Sequence, residues 1–238
     1  MSKLPTPRVF LTALINDISA IPAPITSTTT TTTDSGPNHP LRSLAPAHRA
    51  LLSTLHVVFP NNIFLPALDL LDRGLVTRLV QVEASVPPPE VLQDATTAGA
   101  APSLEGGPRN AVYQVRSAQQ PRSRFHQTAA TTSTPVYTVR LEAWSCSCAA
   151  FTFSAFPATA GLFQPRVLGE DEDEDGERVG EEDWRFGGLS LGTGGEEMPC
   201  CKHLLACLLG EKWNAVLGSY VTVREVSREE MAGVGADA

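Results

Sequence analysis

The chain has 238 residues, with 18 Lys and Arg against 26 Asp and Glu, for a formal net charge of −8. Its 19 prolines, 18 glycines and 6% aromatic content are poor material for one large core and point to long unstructured connections. No run of eighteen apolar residues occurs, which excludes a membrane-spanning helix. No cleavable leader is expected either: the apolar patch after Lys3 and Arg8 ends at Asn16-Asp17 without a small-residue cleavage site. The cysteines are therefore expected in a reducing compartment, where metal binding is favoured over disulfides.

The charge is unevenly spread. Glu170 to Asp183 holds ten acidic residues and one arginine, and the rest of the chain has 16 acidic and 17 basic residues. A strong autonomous DNA binder needs a basic excess, and this chain lacks one. The acidic block itself reads as a solubilising loop.

Residues 8 to 18 suit a short helix, with Phe10, Leu14 and Ile18 at spacing four. Pro22, Pro24 and the tract from Thr26 to Thr33 follow as a low-complexity spacer. Leu44, Leu51, Leu52, Leu55, Val58 and Phe59 then mark a helix ended by Pro60-Asn-Asn62. A second helix is expected from about Pro66 to Gly74, with Leu68, Leu71 and Leu75 toward the core. His48 and His56 read as surface or partly buried residues without a ligand role, and Asp69, Asp72 and Arg73 as a solvated face, with a partner-facing charged edge as the alternative.

Leu75 to Val82 reads as a strand, residues 84 to 110 as a disordered insertion, and Ala111 to Arg116 as another strand. Arg116, Arg122, Arg124 and His126 make a modest basic cluster with weak, salt-sensitive phosphate affinity at best. Val136 to Trp144 alternates, with Tyr137, Val139, Leu141 and Ala143 on the apolar face of a half-buried strand. Phe151, Phe153 and Phe156 are expected to pack around the site that follows. The glycines of Gly187 to Gly195 are no phosphate loop, because no Gly-Lys-Ser/Thr accompanies them. Leu204, Leu205, Leu208, Leu209 and Trp213 mark a helix that stops before Gly218, and Ser227-Arg-Glu-Glu230 is a candidate capping box.

Two short runs carry the chemistry. Cys146-Ser-Cys148 and Cys201-Lys-His203 together spell C-x-C, a 52-residue gap, then C-x-H. Three thiolates and an imidazole are a closed ligand set for tetrahedral zinc. Residues i and i+2 of an extended strand share a face, so Cys146 and Cys148 can converge where the strand bends. Within a regular helix i and i+2 diverge, so Cys201 should precede a helix whose first turn carries His203. The unpaired N–H groups there also favour a thiolate. Two alternatives stay open on spacing alone. His203 and Cys207, four apart, form a rival pair, and vicinal Cys200 competes with Cys201.

The C-x-C…C-x-H pattern, followed by Leu204-Leu-Ala206, resembles the SWIM-type zinc finger. With Ala67-Leu-Asp-Leu-Leu-Asp-Arg73, Val112-Tyr-Gln-Val115 and Tyr137-Thr-Val139 in that order, the chain resembles the small SWIM proteins of the Shu complex in pieces from about residue 41 to 217. The long gap between the ligand pairs departs from a compact finger. The resemblance favours Cys146, Cys148, Cys201 and His203 as Zn2+ ligands and an apolar role for Cys207. It also implies a RecA-like recombinase paralogue as partner, DNA contacts mainly through that complex, a role in homologous recombination and a nuclear location.

The fold expected is α+β, a small zinc-stapled domain. It has N-terminal helices, a short antiparallel sheet and a C-terminal helix, interrupted by disordered insertions. Residues 1–40 form an N-terminal segment and Thr-rich linker, 41–116 the helical and strand part of the core, and 117–135 an insertion. The finger spans 136–217 with an acidic insertion at 157–198, and 218–238 is a C-terminal tail. A non-catalytic adaptor is the first function expected. Direct nucleic-acid binding by the finger, with Lys202, Lys212 and the 116–126 arginines as its basic residues, is the alternative, as is a general protein-interaction module in transcription or chromatin. An enzyme is disfavoured, since four protein ligands close the metal and no H-E-x-x-H, P-loop or G-x-S-x-G occurs. A Cys200–Cys201 redox pair has little to support it. No membrane and no small-molecule substrate are expected.

Overall fold

Short runs of β-branched residues, far apart in the chain, find one another in a single sheet. The computed structural model describes residues 4–23, 41, 44–82, 111–118, 134–156, 184–188 and 198–236. In chain order these hold helices α1 (Pro7–Ser19), α2 (Pro46–Val58) and α3 (Asn61–Asp72), then strands β1 (Val76–Gln81), β2 (Val112–Arg116), β3 (Val136–Arg140) and β4 (Ser145–Cys146). Helices α4 (Ala149–Ala155), α5 (Lys202–Lys212) and α6 (Asn214–Leu217), strand β5 (Val221–Val226) and helix α7 (Arg228–Ala236) complete the mixed α+β architecture. The loop expected at 84–110, residues 119–133 of the one expected at 117–135, the Thr-rich tract and the acidic block at 170–183 lie outside the described residues.

The five strands run in the order β4-β3-β2-β1-β5. Three of the four pairings are antiparallel; the fourth, β1 with β5, is parallel from Val76↔Val221 to Gln81↔Val226. The sheet is thus not purely antiparallel, and residues 218–238, read as a tail, supply one of its strands and the helix beyond it. One face carries Val76, Tyr113, Val115 and Val139 into the main core, while Leu79, Val112 and Val226 on the other face are covered by Met231 and Val234 of α7.

Helix α5 runs through the main core. Every residue from His203 to Gly210 is buried, as expected for a helix that is apolar on all sides. Helices α1 and α3 pack against it. Helix α1, set apart from the core by the sequence reading, contributes Leu14, Ile15 and Ile18. Phe10, by contrast, is 40% exposed, because Ile15 takes the inward position.

Helix α3 begins earlier than the Pro66 start expected. The Pro60 carbonyl accepts from Ile63 and Phe64 N–H at 2.8 and 3.2 Å, and Pro66 sits inside the helix. An interior proline costs about 3 kcal/mol. The earlier start buries Phe64 along with Ala67, Leu70 and Leu71, while Leu68 and Leu75, expected toward the core with Leu71, pack against its margin half-buried. Gly74 does end this helix, at φ +60 with its N–H on the Leu71 carbonyl.

Strand β3 also stops short of Trp144, at Arg140. Leu141 to Trp144 reverse the chain, with the Trp144 N–H on the Leu141 carbonyl and Trp144 itself at φ +47. That reversal sets Cys146 opposite Val139. Within the excursion expected at 157–198, residues 184–188 are an anchor in the core. Phe186 is 1% exposed and packs on Trp144 and Phe59, with ring centroids 4.6 and 6.0 Å apart. At Gly188, φ +49, a Cβ would lie 2.3 Å from the Glu142 carbonyl oxygen, so only glycine lets the anchor meet the β3–β4 turn.

Candidate metal centre

Cys146, Cys148, Cys201 and His203 meet in one buried cluster, with one donor atom from each inside a mutual distance of 4.8 Å. Strand β4 ends on Cys146, and the chain turns directly into α4, whose N-cap is Cys148. On the other side Cys201 is the N-cap of α5, so that His203 falls in the first turn. The local geometry follows from the residues: extended backbone converges i and i+2, and a helix start does so only when one partner lies outside the helix.

The two N-caps do similar electrostatic work. Cys148 Sγ accepts the Phe151 N–H at 3.3 Å, and Cys201 Sγ accepts that of Leu204 at 3.5 Å. These are unpaired first-turn donors, which favour sulfur as thiolate. His203 Nδ1 lies 3.8 Å from Cys146 Sγ. Hydrogen bonding to Cys146 and Cys201 holds the Cys148 thiol below its ordinary range, whereas contact with Cys148 and Cys201, together with burial, pushes Cys146 up. Three thiolates this close in a buried site repel one another strongly, and a cation removes the conflict. Zinc–sulfur bonds near 2.3 Å put sulfurs about 3.8 Å apart, so small inward movements bring these donors to bonding distance. The residues fit a metal ion.

The other two cysteines stand apart. Cys200 turns its Sγ toward the Cys201 carbonyl at 3.7 Å, and Cys207 is fully buried one turn beyond His203. Neither belongs to the cluster, so among the described residues the rival His203–Cys207 pairing does not form.

Sequence reasoning misplaced the surroundings. Phe153 and Phe156, expected around the site, are 76% and 66% exposed, Phe153 on the outer side of α4 and Phe156 at its C-cap; of the three, only Phe151 packs inward. The Tyr137 ring instead stacks on His203, with centroids 4.5 Å apart and planes at 28°. Trp144 ties the halves together by donating its indole N–H to the Pro199 carbonyl at 2.7 Å. Alternation had put Tyr137 on the inward face of β3, which was the one available signal.

Among known proteins, no family model matches the chain and no curated protein matches it. The geometry therefore stands by itself: a buried Cys/Cys/Cys/His cluster compatible with a zinc finger.

Proposed function

We propose that the cluster binds one zinc ion and that the chain is a non-catalytic adaptor built around it. The carrying observation is closure: four buried protein donors satisfy a tetrahedral ion and leave no position for an activated water. Three soft thiolates with one imidazole favour zinc over oxygen-loving cations.

The finer reading draws on the resemblance to SWIM fingers and to the Shu-complex proteins. The partner is then a RecA-like recombinase paralogue, DNA is contacted mainly through the joint complex, and the complex promotes recombinase filament assembly in the nucleus. Near-neutral charge outside the acidic block supports delegated DNA contact. Exposed Phe153 on the helix that Cys148 caps and exposed Phe156 just past its end support protein contact, since exposed aromatics are frequent interface anchors.

Co-expression tests this directly. The full chain and a RecA-like paralogue should co-elute as one complex, with Phe153→Ser and Phe156→Ser lowering its yield at unchanged metal content. A chain that stays monomeric in every such mixture, at high concentration, contradicts the adaptor reading.

A further inference from the structure

We infer that His203 coordinates through Nδ1 and that Tyr137 is the residue positioning its ring. This rests on the reading that the four donors bind a metal.

A ligating histidine usually donates its second ring N–H to a carboxylate, a carbonyl or water, and that bond fixes the ring's orientation. His203 departs from this pattern. Its Nδ1 faces Cys146 Sγ at 3.8 Å, while its Nε2 is buried with no hydrogen-bond partner among the described residues. Among the described residues the usual orienting contact is therefore missing.

A flat face takes its place. Tyr137 lies over the imidazole at 4.5 Å and 28°, close to parallel. The placement follows from sheet register. Val139 pairs with Cys146, and Tyr137 lies two residues earlier on β3, on the same face. One strand thus holds the partner of one ligand and the cover of another. An imidazole that shares its Nδ1 lone pair with a cation becomes electron-poor and gains attraction for an electron-rich phenol face. Stacking, unlike a hydrogen bond, fixes the ring plane without needing the Nε2 proton.

The test uses the full chain loaded with zinc. Long-range 1H–15N correlation of the His203 ring should show Nε2 protonated and Nδ1 metal-bound. Chelator competition should leave Tyr137→Phe within about twofold of wild type, whereas Tyr137→Leu loses about tenfold or more. The Leu variant should also show broadened or split His203 ring signals, which a packing defect elsewhere in the sheet does not produce. Metal on Nε2, or wild-type affinity in Tyr137→Leu, overturns the inference and leaves the metal site intact. A wild-type chain that takes up no zinc removes the site and this inference together. If the Leu variant does not fold, the wild-type ring correlation still decides the coordinating nitrogen, and chelator competition on Tyr137→Val, a strand former without a ring, decides the role of Tyr137.

Discussion

Trp144 donates its indole N–H to the Pro199 carbonyl at 2.7 Å, in a buried contact between the turn before Cys146 and the residue two before Cys201. The two segments that carry the Cys/His cluster are therefore registered by an ordinary hydrogen bond that needs no metal. Trp144→Phe keeps most of the ring packing on Phe186 but leaves a buried carbonyl unpaired, at a cost of about 1–3 kcal/mol. Urea melts of zinc-loaded protein should show that loss with full metal occupancy. Occupancy that falls in step with stability would mean the bond is needed to assemble the site.

Metal removal should be more severe. Structural zinc supplies on the order of 10 kcal/mol in small modules, and the four donors here join β4 and α4 to α5. Chelation or Cys201→Ser should lower the Tm by roughly 10 °C or more. Cys200→Ser should leave both the melt and a one-to-one metal ratio unchanged. Elemental analysis with calorimetry on the same samples checks this, and loss of metal in Cys200→Ser would reassign the ligand.

Gly210 sets two effects against each other. Alanine gains about 1 kcal/mol of helix propensity, but its Cβ would lie 2.6 Å from Val221 Cγ2, between α5 and β5. Valine on a strand has few rotamers to offer, so overpacking of about 1–3 kcal/mol should win. Gly210→Ala is expected to destabilise, and Val221→Ala added to it to recover much of the loss. Additive effects in this double-mutant cycle would disprove the contact.

The anchor at 184–188 makes a contrasting pair with α4. Phe186→Ala should cost about 3–5 kcal/mol, because it opens a cavity against Trp144 and Phe59. Phe153→Ala, on a side chain that is mostly in solvent, should stay within about 0.5 kcal/mol. Chemical denaturation of the two variants distinguishes a packed anchor from a loosely associated loop.

Tyr113 gives an alkaline signature. Burial, then the Glu211 carboxylate to which its hydroxyl donates, pushes its phenol well above the usual value of 10.0. A folded pKa above the unfolded one stabilises fully below about pH 10 and loses that contribution as pH rises further. Stability should fall between pH 10 and 11 in the wild type and less steeply in Tyr113→Phe. Absorbance at 295 nm should show one of the three tyrosines ionising only on unfolding. Equal slopes for both proteins would rule out a protected phenol.

The cluster was legible because its spacing is local: C-x-C needs only a bent strand and C-x-H only a helix start. Strand β1 and the Gly74 stop were legible for the same reason. Strand β5 was missed although Val221-Thr-Val-Arg-Glu-Val226 is rich in β-branched residues. Its middle four residues are exposed, so no buried stripe announced it. The Trp184–Gly188 anchor was hidden between acidic and glycine-rich runs, and only its two aromatics hinted at burial. The inward turn of α1 depends on α5, a partner nearly two hundred positions away in the chain, and no window of sequence carries that information.

The parallel pairing of β1 with β5 has a consequence for biogenesis. Val76 waits for Val221, so a nascent chain emerging from the ribosome holds β1 with one edge bare until Val221–Val226 has been made. Closure over so long a span is slow, and the unfinished edge is a template for association with other chains. Translation intermediates that lack β5 should be the species most dependent on chaperones.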